Sequence, residues 1–112
     1  MSERPVRLLI EDILESIEKI ERYTAGISFE EFSIDDKTND AVIRNLEIIG
    51  EAANRLPAEF KDKHSNIEWF KIVGLRHRIV HEYFGIDLGI VWQIVTKDMP
   101  LFKIDLQHIS MI

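Results

Sequence analysis

The stretch AVIRNLEIIGEAANRLP at residues 41–57 decides the fold, because its apolar residues recur at intervals of three or four. This spacing places them on one face of an α-helix. The face consists of Val42, Ile43, Leu46, Ile49, Ala52, Ala53 and Leu56. Asp35 or Asp36 is a suitable N-cap, and Pro57 ends the helix. Gly50 costs about 1 kcal/mol relative to alanine inside a helix, so its presence predicts close packing against a neighbouring backbone.

On the N-terminal side, residues 6–23 show the same period and predict a second amphipathic helix, which begins just after a proline. Its acidic residues lie opposite the apolar face and are interpreted as a solvated surface. Ser28 and Glu31 have the spacing of a capping box. They predict a short helical turn that carries Phe29 and Phe32 inward.

On the C-terminal side, the polar segment Pro57–Asn66 is predicted to be a connection without regular structure. A third helix is predicted from about Ile67 to Tyr83, with Gly85 beyond its end. Asp87 is a ready N-cap for a fourth helix, which Pro100 should kink or break because proline lacks an N–H and clashes with the preceding turn. No alternating pattern is long enough to predict a strand.

These segments together predict an all-α bundle of four main helices plus a short helical turn, forming a single domain over residues 1–112. The chain of 112 residues is 46% hydrophobic and 30% charged, as in globular proteins. It contains no cysteine, which excludes disulfides and thiolate chemistry. No apolar run approaches the ~20 residues that cross a bilayer, and no secretory signal is recognisable. We therefore expect a cytoplasmic protein without a membrane partner.

The net charge of −6 arises in residues 1–40, whereas the remaining residues carry equal numbers of acids and bases. A broad basic face that binds duplex DNA is therefore not expected. The basic residues that could meet an anion are grouped in one segment. Lys71, Arg76 and Arg78 lie between positions 71 and 81, where the sequence has no acid.

The same segment, GLRHRIVHEYFG at residues 74–85, holds the candidate catalytic groups. A histidine that titrates near neutrality can move protons to and from a ribose hydroxyl and a leaving oxygen. An arginine can hold a phosphate and its developing charge. Arg76 and His81 together therefore suit RNA cleavage without a metal. On one helix they would lie about 140° apart. They could therefore line opposite flanks of a groove, or converge when two copies of the helix face each other across a two-fold axis.

Spacing alone leaves other interpretations of these residues open. His77 and His81 have the i, i+4 spacing of a metal pair, but no third ligand is evident. His81 could instead satisfy carbonyls at a helix C-terminus. Arg78 could pair with Glu82 one turn along, and Tyr83 could serve only in packing.

The order Arg76, His81, Tyr83 forms an R-x4-H-x-Y pattern that resembles HepT-like toxins of the HEPN superfamily. The resemblance extends over most of the chain. It includes RNLEIIGEAANRLP at 44–57, IEWFKIVGLRHRIVHEYFGID at 67–87 and the IVWQIVTKDMPLF segment that follows. The motif alone is short, and its setting among these helices makes the match specific.

The resemblance implies a homodimeric HEPN bundle that cleaves cellular RNA, mRNA or tRNA, as a growth-slowing toxin without metal or cofactor. It assigns Arg76 and His81 as the catalytic pair. The implied partner is an MntA-like nucleotidyltransferase antitoxin that transfers AMP to Tyr83. His77 departs from the asparagine common in the family after the motif arginine, so His77, with Arg78, is a candidate supporting residue.

Two other kinds of function remain compatible with the sequence. The bundle could be a non-catalytic module that binds a nucleotide or a nucleotidyltransferase. It could also be a structural helical dimer in which the polar segment forms an ordinary salt-bridged seam.

Overall fold

The computed structural model describes residues 4–81 and 85–109, with the backbone alone for His81. The all-α prediction is confirmed. None of the helices in these ranges combines the length and apolar character needed to cross a bilayer. The elements are α1 (Val6–Thr24), α2 (Phe29–Ile34), α3 (Asp36–Arg55), α4 (Ala58–Lys63), α5 (Trp69–Val73), α6 (Leu75–Ile79), β1 (Val80–His81), β2 (Gly85–Ile86), α7 (Leu88–Gln93), a π-helical turn (Ile94–Asp98) and α8 (Met99–Gln107).

The two long helices α1 and α3 pack against each other and form the centre of the core. Both were predicted, because long amphipathic faces give a strong periodic signal. Their innermost side chains are fully buried: Ile13, Ile17, Val42, Leu46 and Ile49. Helices α2, α5 and α6 pack against α3, and α8 packs against α1.

The predicted helix starts are also confirmed. The Ser28 hydroxyl accepts a hydrogen bond from the Glu31 backbone N–H, and the Glu31 carboxylate accepts one from the Ser28 backbone N–H, which completes the capping box of α2. Phe32 is fully buried behind it. Asp35 caps α3 by accepting from the Thr38 N–H at 3.1 Å. Hydrogen bonds from the Thr38 hydroxyl and N–H hold the pKa of Asp35 below its usual value.

The prediction that the Pro57–Asn66 segment lacks regular structure is wrong, because it contains α4. Its apolar content is a single half-buried aromatic, Phe60, so no period could be recognised in the sequence. Tertiary contacts stabilise the segment instead. The Phe60 ring packs against the Trp69 ring, with 6.2 Å between the ring centroids. The Lys61 ammonium donates a hydrogen bond to the Ala53 carbonyl near the end of α3.

The predicted third helix is also corrected. It is divided at Gly74 into α5 and α6, and it ends at Ile79 rather than near Tyr83. The backbone of Val80 is extended, and Val80 pairs with Ile86 while His81 pairs with Gly85 in a two-residue antiparallel ladder. β-Branched residues favour this extended form. Gly85 adopts a φ of 75°, which only glycine reaches easily.

In the last segment, Asp87 accepts a hydrogen bond from the Ile90 N–H and caps α7, as predicted. The chain remains helical at Pro100. This proline occupies the first turn of α8, where its missing N–H is not needed. The predicted interruption of the helix takes the form of the π-helical turn that precedes α8. In this turn the Met99 N–H donates to the Ile94 carbonyl, five residues earlier.

Gly50 lies where α3 meets α5, and this contact fixes the position of the polar segment. A β-carbon at Gly50 would lie 3.2 Å from the Ile72 carbonyl oxygen and 3.6 Å from that of Val73. The predicted close backbone approach is therefore confirmed. Trp69 anchors the other end of α5, because its indole N–H donates to the His64 carbonyl at 3.0 Å and its ring packs edge-on against Phe102.

We expect Gly50→Val to destabilise the protein by about 1–3 kcal/mol, because its side chain must push α5 away from α3. Chemical denaturation monitored by circular dichroism measures the effect. Asn54→Val, at an exposed position of the same helix, controls for helix propensity and should change stability by less than about 0.5 kcal/mol. Equal losses in both variants would contradict the close packing at Gly50.

Candidate active site

A groove of about 720 Å³ runs between α3 and the α5–α6 segment. Its walls combine charged, polar and apolar side chains from both sides. The lining residues are Arg44, Glu47, Gly50, Glu51, Asn54, Phe70, Val73, Gly74, Arg76 and His77. We call it the α3–α6 groove.

Arg76 and His77 reach this groove because of the way α6 is anchored. Leu75 and Ile79 are buried on the core side of the helix, and Arg76 and His77 are exposed on the other side. In the part of the chain that the structure describes, Arg76 has no ion-pair partner. Two of the sequence-predicted site residues therefore lie side by side at an accessible surface.

His81 and Tyr83 are placed only in part. The backbone of His81 lies in β1, beyond the end of α6, so the helical angle between Arg76 and His81 does not apply. For the same reason, His77 and His81 do not share the helical face that suggested a metal pair. Tyr83 lies outside the described residues, as does the His81 side chain. Their roles remain predictions.

Arg78 points away from the α3–α6 groove. Its Nη2 donates to Asp98 Oδ2 of the π-helical turn at 2.7 Å, and both side chains are about one-third exposed. Its Nη1 is buried and has no hydrogen-bond partner among the described residues. Glu82, the partner suggested by the sequence, lies outside the described residues. Arg78 therefore links α6 to the last helical segment rather than facing Arg76.

We expect Asp98→Ala to lower stability by about 1 kcal/mol, because it removes the charged acceptor of a partly buried guanidinium. Asp98→Asn retains an acceptor oxygen and should cost less. Thermal unfolding of both variants measures the difference. If Asp98→Ala were as stable as the unaltered chain, Arg78 would not have the structural role that this contact indicates.

Lys71, the third base of the segment, also has an acidic neighbour. Its ammonium lies 3.3 Å from Glu68 of the preceding turn. The basic cluster predicted from the sequence is thus divided, with Lys71 and Arg78 paired with acids. The structure adds a different cation, Arg44, which extends into the α3–α6 groove from the long helix α3. Sequence separation hides this neighbour of Arg76, and no local signal could have revealed it.

The lining of the groove also contains two acids, so its arginines and its glutamates are equal in number. Glu51 lies 3.0 Å from Arg55 on the same helix and is paired there. Glu47 is the other acid of the lining. Arg44 has no ion-pair partner within residues 4–81 and 85–109. Among the described residues, Arg44 and Arg76 therefore line the groove without ion-pair partners, as does one acid, Glu47.

Phe70 is the second lining residue that sequence reasoning missed. Its side chain is 72% exposed at the surface of α5, whereas its neighbour Trp69 is buried. The available signal was an aromatic residue outside the apolar period of its helix.

No group of three histidine, aspartate or glutamate side chains that could hold a metal ion is found among the described residues.

The sequence of the chain is similar to those of proteins named as ribonucleases. The chain is 47% identical over 94 residues to "Probable ribonuclease HepT" of Thermococcus cleftensis, covering 84% of this chain and 86% of that protein. It is 43% identical over 103 residues to "Putative RNase MJ1380" of Methanocaldococcus jannaschii, covering 92% and 94%. No solved structure matches the chain. The family model described as "Ribonuclease HepT-like" matches residues 13–109, and the chain therefore belongs to the HepT-like ribonuclease family.

Proposed function

We propose that this protein is the toxin of a toxin–antitoxin pair and cleaves cellular RNA, mRNA or tRNA, without a metal ion. The observation that carries the proposal is the exposed Arg76 beside His77 in the α3–α6 groove, with no acidic partner among the described residues. An arginine free of carboxylates is available to bind a phosphate. Membership of a ribonuclease family supports RNA as the source of that phosphate.

In the proposed reaction, the ribose 2′-oxygen attacks the adjacent phosphorus, and the bond from phosphorus to the 5′-oxygen breaks. His81 accepts the proton of the 2′-hydroxyl, and a protonated group supplies one to the leaving 5′-oxygen. Arg76 stabilises the charge that develops on the phosphate. The products are a 2′,3′-cyclic phosphate and a 5′-hydroxyl. DNA lacks the attacking oxygen and is not a substrate.

The proposed assembly is a homodimer in which the two polar segments face one another. His81 follows α6 in a different backbone conformation from Arg76, so the pair need not converge within one copy. Two copies also double the arginines near one cleft, which suits a protein whose overall charge is −6. His77 is a candidate supporting residue because it lines the same groove as Arg76 and its ring can form a hydrogen bond with the phosphate.

Neutralisation is proposed to occur by transfer of AMP from ATP to Tyr83, catalysed by an MntA-like nucleotidyltransferase. The phenolic oxygen of Tyr83 forms a bond to the α-phosphorus, pyrophosphate leaves, and the phenolic proton is released. The added phosphate places negative charge close to the proposed RNA site. Repulsion of the RNA backbone, together with the bulk of the nucleotide, would then block cleavage.

Incubation of the purified protein with total cellular RNA in a chelating buffer tests the proposed activity. We expect discrete fragments that carry cyclic phosphate ends. RNA that is bound but remains intact would favour the alternative of a non-catalytic module. RNA that is neither bound nor cut would contradict the ribonuclease proposal and favour a module that binds a nucleotidyltransferase.

A further inference from the structure

Phe70 is a large apolar ring exposed in a charged groove. It is 72% exposed, more than any other aromatic side chain among the described residues. It lines the α3–α6 groove together with Arg44, Arg76 and His77. A single exposed apolar residue needs no special explanation. An exposed aromatic ring beside unpaired arginines is a more specific combination, since it offers both a flat surface and an anion site.

A comparison with Leu101 shows why the surroundings matter. Leu101 on α8 is 67% exposed, so it is nearly as accessible as Phe70. It lines a different pocket, whose cations Lys71 and Arg78 are held by Glu68 and Asp98. That pocket presents an aliphatic side chain among neutralised charges. Of these two pockets, the one that contains Phe70 places an exposed aromatic ring beside arginines without ion pairs among the described residues.

We infer that Phe70 is a stacking platform for an unpaired base of the RNA whose phosphates Arg76 and Arg44 bind. This inference rests on the proposed ribonuclease function and names its substrate class, which is single-stranded RNA. Base–aromatic stacking combined with cationic side chains that contact the backbone is how proteins hold single strands without reading their sequence. The groove volume of about 720 Å³ lies in the range in which proteins enclose small organic ligands, roughly 300–1,000 Å³.

The stacking platform selects against duplex RNA for a physical reason. Bases within a duplex are stacked on one another and are not available to a protein side chain. Only an unpaired segment, such as a loop, can place a base on the Phe70 ring while its phosphates reach the arginines. Because stacking uses the π face that all bases share, the ring gives no strong preference among the four bases.

Binding of a 2′-fluoro single-stranded oligonucleotide of about 10 nucleotides tests this inference, since it lacks the attacking hydroxyl and stays intact. We expect Phe70→Ala to weaken binding about 5- to 150-fold, as measured by fluorescence anisotropy. Phe70→Trp should bind within about 3-fold of the unaltered chain, and its indole fluorescence should be quenched by the bound base. Leu101→Ala is the matched control and should leave binding unchanged.

Two further measurements separate stacking from other causes. An oligonucleotide with one abasic position in its bound segment should lose affinity for the unaltered chain but not for Phe70→Ala. A duplex of equal length should bind both proteins equally. Sedimentation of Phe70→Ala should give the same oligomeric state as the unaltered chain. A change in that state would assign Phe70 to a contact between copies and overturn the inference.

Unchanged single-strand binding by Phe70→Ala, or no binding by the unaltered chain, would also overturn it. Cleavage is measured separately, on unmodified RNA. If Arg76 and His81 are required for cleavage while Phe70→Ala binds normally, the stacking inference fails and the proposed function stands. If binding depends on Phe70 but RNA is never cut, the stacking inference stands and the cleavage proposal fails.

Discussion

His81→Ala protein is expected to cut RNA about 100- to 10,000-fold more slowly than the unaltered chain, because it lacks the group proposed to move the 2′-hydroxyl proton. Arg76→Ala should cut RNA about 100- to 1,000-fold more slowly, because it lacks the guanidinium proposed to stabilise the negative charge of the transition state. Initial rates on a labelled single-stranded RNA measure both effects. Circular dichroism checks that each variant is folded, which is expected for Arg76→Ala because Arg76 is exposed.

His77 provides the comparison that identifies the proton-transfer residue. His77→Asn introduces the asparagine that is common at this position in the family that the sequence resembles. We expect the rate of RNA cleavage by this variant to stay within about 10-fold of that of the unaltered chain. If His77→Asn lost as much rate as predicted for His81→Ala, and His81→Ala remained active, the proton-transfer role would belong to His77.

Co-expression with the nucleotidyltransferase should raise the intact mass of the unaltered chain by whole AMP units and abolish RNA cleavage. Tyr83→Phe lacks the proposed acceptor hydroxyl, so we expect no mass increase and complete escape from neutralisation. Phenylalanine keeps the ring, which separates loss of the acceptor from loss of packing. Intact-protein mass spectrometry and growth of the co-expressing cells measure the two outcomes.

Tyr23 is the matched control, because the chain contains two tyrosines and Tyr23 is 39% exposed near the end of α1. Tyr23→Phe should be modified and neutralised like the unaltered chain. If the mass increase persisted in Tyr83→Phe and disappeared in Tyr23→Phe, the acceptor would be on α1. The charge-repulsion mechanism near Arg76 would then be contradicted.

The sequence predicted the long helices and their starts well, for identifiable reasons. Helices α1 and α3 each present an apolar face over about five turns, and a period sustained for that length has no competing interpretation. The N-caps Ser28, Asp35 and Asp87 followed from side-chain chemistry that acts within three residues. Gly50 was informative because a glycine inside a helix has a cost that close packing can offset.

Short elements and long-range neighbours were not predictable in this way. Helix α4 contains one apolar anchor, Phe60, and depends on contacts with other helices. The helix prediction continued past Ile79 because apolar periodicity does not distinguish a final helical turn from a β-branched strand. Arg44 and Phe70 meet Arg76 only after α3 packs against α5, so no spacing within one segment reveals their groove. Local chemistry is readable from sequence, whereas this part of the site depends on tertiary packing.

The most direct measurement of the central claim is cleavage of one RNA and of the same RNA with a single 2′-deoxy substitution at its cleavage site, both in the presence of a chelator. The account predicts rapid cleavage of the first into a 2′,3′-cyclic phosphate and a 5′-hydroxyl, and no cleavage of the second at that site. Cleavage of the deoxy-substituted strand at the same position, or activity that the chelator abolishes, would contradict it.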